Sequence, residues 1–336
     1  MAATPGQEKH GESPGYGQFG TTGQSRTAEE IESQPNCWRR AAEEATGFGA
    51  ALPQRGERVA VSGCGTSWFM AQAYAALREA AGQGETDAFA ASEFPASRAE
   101  SYDRVVTVTR SGTTTEVLGL LGELRDRTRT VALTADPATP VMDAADHVAV
   151  LDHADERSVV QTRFATSALA FLRAGLEQHG PLPAKAVTDA AADAEFALAG
   201  PLPGSALEAE QWTFLGRGWA YGLALEAALK MREAAGAWTE AYPSMEYRHG
   251  PIAITGPGRC VWLFGEPPEG LADEVARVGG ALVSEATDGR GLDPMADLVR
   301  AQRLAVAVAE ERGFDPDQPR NLTRSVVLDG SAAAGS

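Results

Sequence analysis

Two short turns rich in glycine and hydroxyl side chains are the segments of this chain best suited to chemistry. Residues 62–67 read Ser-Gly-Cys-Gly-Thr-Ser, and residues 109–114 read Thr-Arg-Ser-Gly-Thr-Thr. Each turn follows a short apolar run and precedes a helical pattern, which leaves backbone N–H groups and hydroxyls at the positive end of a helix. Such an arrangement binds phosphate. We therefore predict a phosphorylated small molecule at the carboxyl ends of parallel strands.

A charged triplet lies on one helical pattern in the second half of the chain. Glu226, Lys230 and Glu233 are spaced by four and three residues, which places them on one face of a helix. A carboxylate is suited to removing a proton next to a carbonyl group. From spacing alone, however, a solvent-exposed charged stripe is the more common explanation.

The composition is typical of a globular enzyme. The chain has 336 residues, of which 43% are hydrophobic, and a formal net charge of −17. This length predicts two domains with cores of their own, and the charge argues against nucleic acid and membrane as partners. The three cysteines form no CxxC pair, and neither a signal-peptide core nor a long apolar run occurs. These features predict a cytoplasmic protein.

No nucleotide or metal cofactor is predicted. The first turn lacks the third glycine of the dinucleotide-binding motif, because Trp68 stands at that place. The chain has no Gly-Lys-Ser/Thr phosphate loop, and its five histidines show no metal-ligand spacing.

Apolar strand patterns alternate with helical patterns along the chain. The strand candidates are 58–61, 103–109, 130–133, 147–151, 212–216, 261–264 and 280–283, and the helical candidates are 68–81, 115–125, 164–177, 219–235 and 294–312. This alternation predicts an α/β fold of two doubly wound units, each a parallel sheet flanked by helices.

The chain divides into two halves with similar patterns. We predict a disordered arm over 1–26, a first domain with the phosphate turns over 35–183, a helical linker over 184–204, a second domain with a C-terminal closing segment over 205–328, and a flexible tail over 329–336. The second half restarts the pattern of the first, so the fold is interpreted as a duplicated unit.

Several motifs in fixed order make a family resemblance specific. Residues 216–218 read Gly-Arg-Gly, and residues 224–233 read Ala-Leu-Glu-Ala-Ala-Leu-Lys-Met-Arg-Glu. Glu-Ala-Tyr follows at 240–242 and Arg-His-Gly-Pro at 248–251. With both phosphate turns, residues 156–166 and the stretch 317–326, the chain resembles the sugar isomerase (SIS) family, in particular the isomerase half of glucosamine-6-phosphate synthase.

The resemblance implies a site for a phosphorylated amino sugar, shared between the two subunits of a homodimer. Glu233 would be the base that moves a proton between C1 and C2. His249 would open the sugar ring and would reach the site of the neighbouring subunit. The residues implied to hold the 6-phosphate are Gly65, Thr66, Ser67, Arg110, Ser111, Gly112 and Thr114.

Departures from the family pattern limit what is implied. Arg324 stands where the synthase has the lysine that forms an imine; arginine stays protonated, so Arg324 is expected to hold an anion or polarise an oxygen. Arg110 stands where glutamine is usual and is expected to add a bidentate phosphate donor. Val160 and Gln161 replace smaller residues near C1 and C2, which indicates a differently substituted sugar. Because the sequence shows no hydrolase domain before the first unit, no glutaminase activity is expected.

Three functions remain open. The first is an isomerase or deaminase of glucosamine 6-phosphate. The second is a dehydratase of N-acetylglucosamine 6-phosphate, since an acetylated amine leaves poorly and the C3 hydroxyl can leave instead. The third is a sugar-phosphate-binding regulator without catalysis, which the presence of Glu233 and His249 disfavours.

Overall fold

The computed structural model describes residues 24–285 and 291–328. Its first half contains α1 (Arg26–Glu32), α2 (Gln34–Phe48), β1 (Val59–Gly63), α3 (Thr66–Ala80), β2 (Thr86–Ala90), β3 (Arg104–Val108), α4 (Thr115–Leu124), β4 (Arg129–Thr134), β5 (His147–Val150) and α5 (Arg163–Glu177). Its second half contains α6 (Val187–Ala199), α7 (Gly204–Leu207), β6 (Gln211–Gly216), α8 (Ala220–Ala235), β7 (Thr239–Pro243), β8 (Arg259–Phe264), α9 (Leu271–Arg277), β9 (Ala281–Val283) and α10 (Pro294–Glu311). Most of the predicted arm, and the whole predicted tail, lie outside the described residues.

The strands form two sheets in which every pairing is parallel. The orders are β2-β1-β3-β4-β5 and β7-β6-β8-β9. This arrangement confirms the predicted α/β class with two sheets flanked by helices. The first strand of each half lies inside its sheet, so the turn that follows it has a neighbouring strand end on either side.

Two strands, β2 and β7, are not among the strand candidates that the sequence predicts. Both lie at a sheet edge, and four of the five residues in each are only partly buried. A half-buried edge strand does not need the continuous apolar run by which central parallel strands are recognised.

Helices α3 and α8 join the two halves by packing against each other. Their approach is close enough that a Cβ on Gly222 would lie 2.5 Å from the Phe69 carbonyl oxygen, so glycine is required there. Fully buried Trp38, Trp212 and Trp262 belong to the same apolar core, which runs from one sheet to the other. This packing brings side chains of α8 to the first phosphate turn.

Helix α6 occupies the segment predicted as a helical linker. It packs against α2 and α10, and its alanines 190, 191 and 194 are buried. In the described part of the chain, no helix is both long and apolar enough to cross a membrane.

Candidate active site at the carboxyl ends of the strands

The two hydroxyl-rich turns lie side by side, as the sequence predicts for neighbouring parallel strands. Strands β1 and β3 are paired, with Gly63 opposite Val108 at their carboxyl ends. A Cβ on Gly63 would come within 2.6 Å of the Ser67 Cβ, and Gly65 has a φ of +54°. Both glycines therefore allow the tight passage from β1 into α3.

The second turn is built in the same way. Gly112 has a φ of +61°, and a Cβ there would collide with Thr139. Thr114 is the residue before α4, and its hydroxyl lies 3.4 Å from that of Thr109. The turn thus presents hydroxyls at the start of a ten-residue helix, where the helix dipole favours an anion.

A buried ion cluster adjoins the first turn. The Lys230 Nζ donates to Glu233 Oε2 at 2.5 Å and to Thr66 Oγ1 at 3.0 Å, and it lies 3.4 Å from Glu226 Oε1. Lys230 and Glu226 are almost completely buried, while the Glu233 side chain is 18% exposed. The charged triplet is therefore an internal cluster and not the solvated stripe that spacing alone suggests.

The electrostatics of this cluster follow from burial. Burial raises the pKa of Glu226 to about 8, although the Lys230 ammonium opposes it. Burial also lowers the pKa of Lys230, but the carboxylates of Glu226 and Glu233 outweigh it and raise that pKa overall. Lys230 is consequently an ammonium at neutral pH and no nucleophile, and Glu226 is largely a protonated carboxyl.

The loop between β5 and α5 closes one side of the first turn. Ser67 Oγ lies 3.5 Å from Gln161 Oε1, so these two predicted ligands meet. Val160 beside it is buried. Glu156, fully buried in the same loop, accepts hydrogen bonds from the backbone amides of Thr162 and Arg163 at the start of α5. The loop is thus fixed by a buried carboxylate.

The C-terminal segment, which we define as residues 323–328, lies on the second turn. The hydroxyls of Ser111, Thr113 and Ser325 lie within 3.0–3.1 Å of one another. The Arg324 side chain donates to Asp155 Oδ1 at 2.6 Å, in an exposed pair. Sequence reasoning did not single out Ser325 within the stretch 317–326, and Asp155 lies just before the stretch 156–166.

His249 is a predicted site residue that no hydrogen bond in the described part of the chain joins to the rest of the site. It lies at the end of a short 3₁₀ turn, Glu246–His249, and its side chain is exposed. Among the described residues, its ring makes no hydrogen bond to Glu233 or to either phosphate turn.

Comparisons with known proteins agree with this fold and these motifs. No protein-family model matches the chain. The isomerizing glutamine–fructose-6-phosphate aminotransferase of Methanothermobacter thermautotrophicus is 30% identical over 312 residues, which cover 81% of this chain and 52% of that relative. The chain therefore spans about half the length of the curated relatives it matches.

Two solved structures share the fold over nearly the whole chain. Glucosamine-6-phosphate deaminase from Thermotoga maritima has a TM-score of 0.73 at 24% identity and covers 90% of this chain and 100% of its own. The C-terminal domain of glucosamine-fructose-6-phosphate aminotransferase from Francisella tularensis has a TM-score of 0.68 at 20% identity, with the same coverage. These findings confirm the resemblance of the chain to the sugar isomerase (SIS) family.

Proposed function

We propose that this chain is an isomerase or deaminase of glucosamine 6-phosphate that acts by removing the C2 proton of the open-chain sugar. The observation that carries the proposal is the position of Lys230, whose ammonium bonds both Glu233 and the first phosphate turn. A carboxylate is thereby held beside a predicted phosphate site. The similarity to glutamine–fructose-6-phosphate aminotransferase and to glucosamine-6-phosphate deaminase supports the same substrate class.

The proposed reaction begins with binding of the sugar phosphate and continues with proton transfer by Glu233. The 6-phosphate binds the hydroxyls and amides of the two turns. There its oxygen atoms take the place of the hydroxyl groups that side chains such as Ser111 contact in the structure. The Glu233 carboxylate takes the C2 proton, and the electron pair forms a C1–C2 double bond while the C1 oxygen gains a proton. Return of a proton to C1 gives an imine at C2, and addition of water there releases ammonia and the ketose phosphate.

Lys230 and Glu226 would support the base without touching the sugar carbons. The Lys230 ammonium fixes the position of the Glu233 carboxylate through a short hydrogen bond. The protonated Glu226 beside it keeps this buried group close to electrical neutrality. Both residues are therefore proposed as positioning residues.

We further propose that the site is completed in a homodimer. Within one chain, Lys230 links Glu233 to the first phosphate turn, whereas the exposed His249 makes no hydrogen bond to Glu233 or to either turn among the described residues. In this proposal His249 of a second copy opens the sugar ring at the site of the first.

The function is tested by incubation with glucosamine 6-phosphate and with N-acetylglucosamine 6-phosphate in deuterated water. With the free amine we expect deuterium at C2 of the remaining glucosamine 6-phosphate, deuterium at C1 of the ketose phosphate, and release of ammonia. A rise in ultraviolet absorbance with the acetylated sugar, and no ammonia from either, would show the dehydratase instead. Binding without exchange would indicate the non-catalytic regulator.

The phosphate site is tested by Ser111→Ala. This change removes one hydroxyl donor to a charged group, which contributes about 1.5–3 kcal/mol, so KM should rise on the order of tenfold while kcat changes little. Steady-state kinetics measure both. The control is Ser101→Ala, because the Ser101 hydroxyl is exposed and, among the described residues, bonds only the Arg98 carbonyl oxygen. An unchanged KM in Ser111→Ala would place the phosphate elsewhere.

A further inference from the structure

Arg110 carries a buried guanidinium at the carboxyl end of β3. Its Nη1 donates to the Ser158 carbonyl oxygen at 3.1 Å and lies 3.5 Å from Glu156 Oε2. Its Nη2 donates to the Arg324 carbonyl oxygen at 3.0 Å. Both terminal nitrogens are therefore engaged by protein groups, and the side chain is only 2% exposed.

These contacts join three segments that are far apart in sequence. Arg110 belongs to the second phosphate turn, Glu156 and Ser158 belong to the loop before α5, and Arg324 belongs to the C-terminal segment. Glu156 is itself fixed by the amides at the start of α5. The guanidinium is thus held by the first unit and donates a hydrogen bond to the C-terminal segment.

The other contacts of the C-terminal segment are of weaker types than its bond to the Arg110 guanidinium. Ser325 contacts the hydroxyls of the turn, and Val326 and Leu328 bond Thr115 at the start of α4; all of these are hydrogen bonds between neutral groups. The Arg324–Asp155 ion pair has both side chains about two-fifths exposed, and exposed pairs contribute little. The bond from Arg110 to the Arg324 carbonyl comes from a buried cation, and charge-assisted bonds are about twice as strong as neutral ones.

We infer that Arg110 is a positioning residue that holds the Arg324 carbonyl and so keeps the C-terminal segment seated on the second phosphate turn. This role differs from the phosphate donor that the sequence predicts for Arg110. Its consequence for turnover rests on the proposed function: Arg110 acts on kcat through the segment that carries Arg324, and only slightly on KM.

Trypsin reports directly on this contact. It cuts after arginine, so cleavage after Arg324 breaks the bond at the same carbonyl that Arg110 holds. The cut requires the segment to leave both Arg110 and Asp155, and its rate follows the population of the opened state. We expect Arg110→Gln to release residues 325–336 about tenfold faster than the unchanged protein, as read by intact mass.

Arg104→Gln is the matched control at the other end of the same strand. Arg104 is also buried, pairs with Glu57 and donates to the Ala51 carbonyl oxygen at 2.6 Å. This variant loses comparable contacts away from the C-terminal segment. Cleavage after Arg324 should therefore stay within about twofold of the unchanged protein.

The kinetic arm separates positioning from phosphate binding. Arg110→Gln should lower kcat about tenfold with KM within twofold, and Arg110→Lys, which retains one cationic donor, should recover part of both kcat and protection from trypsin. Arg110→Lys also serves if Arg110→Gln does not fold by circular dichroism. A tenfold rise in KM with unchanged cleavage would overturn the inference. Because the cleavage arm needs no substrate, it decides the inference even if the proposed sugar is not turned over.

Discussion

Replacing Glu233 by glutamine should abolish deuterium exchange at C2 of the sugar while phosphosugar binding persists. The amide keeps the size and an acceptor for Lys230, which lies 2.5 Å from the carboxylate in the cluster, but it removes the basicity. Loss of a positioned base costs about 10²–10⁴-fold in rate. Exchange is measured by proton nuclear magnetic resonance, and binding by calorimetry on the same preparation.

The control for this prediction is Glu240→Gln. Glu240 lies on β7, the edge strand of the second sheet that follows α8 in the chain. Exchange should continue in that variant. Retained exchange in Glu233→Gln would transfer the role of base to Glu240 or Glu246.

Mixed subunits test whether Glu233 and His249 come from different copies. Glu233→Gln and His249→Asn proteins should each be inactive alone. If one site takes its two residues from two subunits, random mixing should restore about a quarter of the activity, since half of the dimers are mixed and each has one intact site. No recovery would place both residues in one subunit.

The sequence predicts the phosphate turns because their evidence is local. Glycines at 63, 65 and 112 and the hydroxyls beside them follow apolar strand patterns, and parallel pairing brings the strand ends together. The same local evidence predicts most strands, but not the half-buried edge strands β2 and β7.

Contacts between distant segments could not be predicted in this way. Lys230 and Thr66 are 164 positions apart, and their bond depends on the close packing of α3 and α8 at Gly222. Periodicity places Lys230 on a helix face but does not say whether that face meets water or another helix. The placement of the Arg110 guanidinium on the Arg324 carbonyl depends likewise on where the C-terminal segment lies.

Replacing Lys230 by methionine should cause the second large effect, a loss of stability of the folded protein. Methionine has a similar length but no charge, and its introduction leaves the Glu233 carboxylate, whose side chain is only 18% exposed, without its cation. Breaking a buried ion pair from one side costs about 3–5 kcal/mol. The free energy of unfolding, measured in urea at pH 7, should fall by about this amount.

The pH dependence of that loss identifies its cause. Burial raises the pKa of Glu226 from an ordinary 4.5 to about 8, and removal of the Lys230 cation raises it further. Between pH 4.5 and 8 the folded protein holds a proton on Glu226 that the unfolded chain has released, so the stability of the unchanged protein and of Lys230→Met falls alike over this range. The extra loss in Lys230→Met should grow as pH rises above about 8, where Glu226 of the variant keeps its proton and that of the unchanged protein releases it. Below about pH 4.5 this carboxyl is protonated in both states, and its contribution no longer changes.

The double variant Lys230→Met/Glu226→Gln separates charge from packing. A neutral amide at 226 has no proton to lose, so this component of the pH dependence should disappear and part of the stability should return. The corresponding control on the surface is Lys185→Met, since Lys185 pairs with Asp193 with its side chain 41% exposed, and an exposed pair contributes at most about 1 kcal/mol. If Lys230→Met were no more destabilised than Lys185→Met, the Lys230 ammonium would not be holding the Glu233 carboxylate. Glu233 would then need another group to position it beside the phosphate turn.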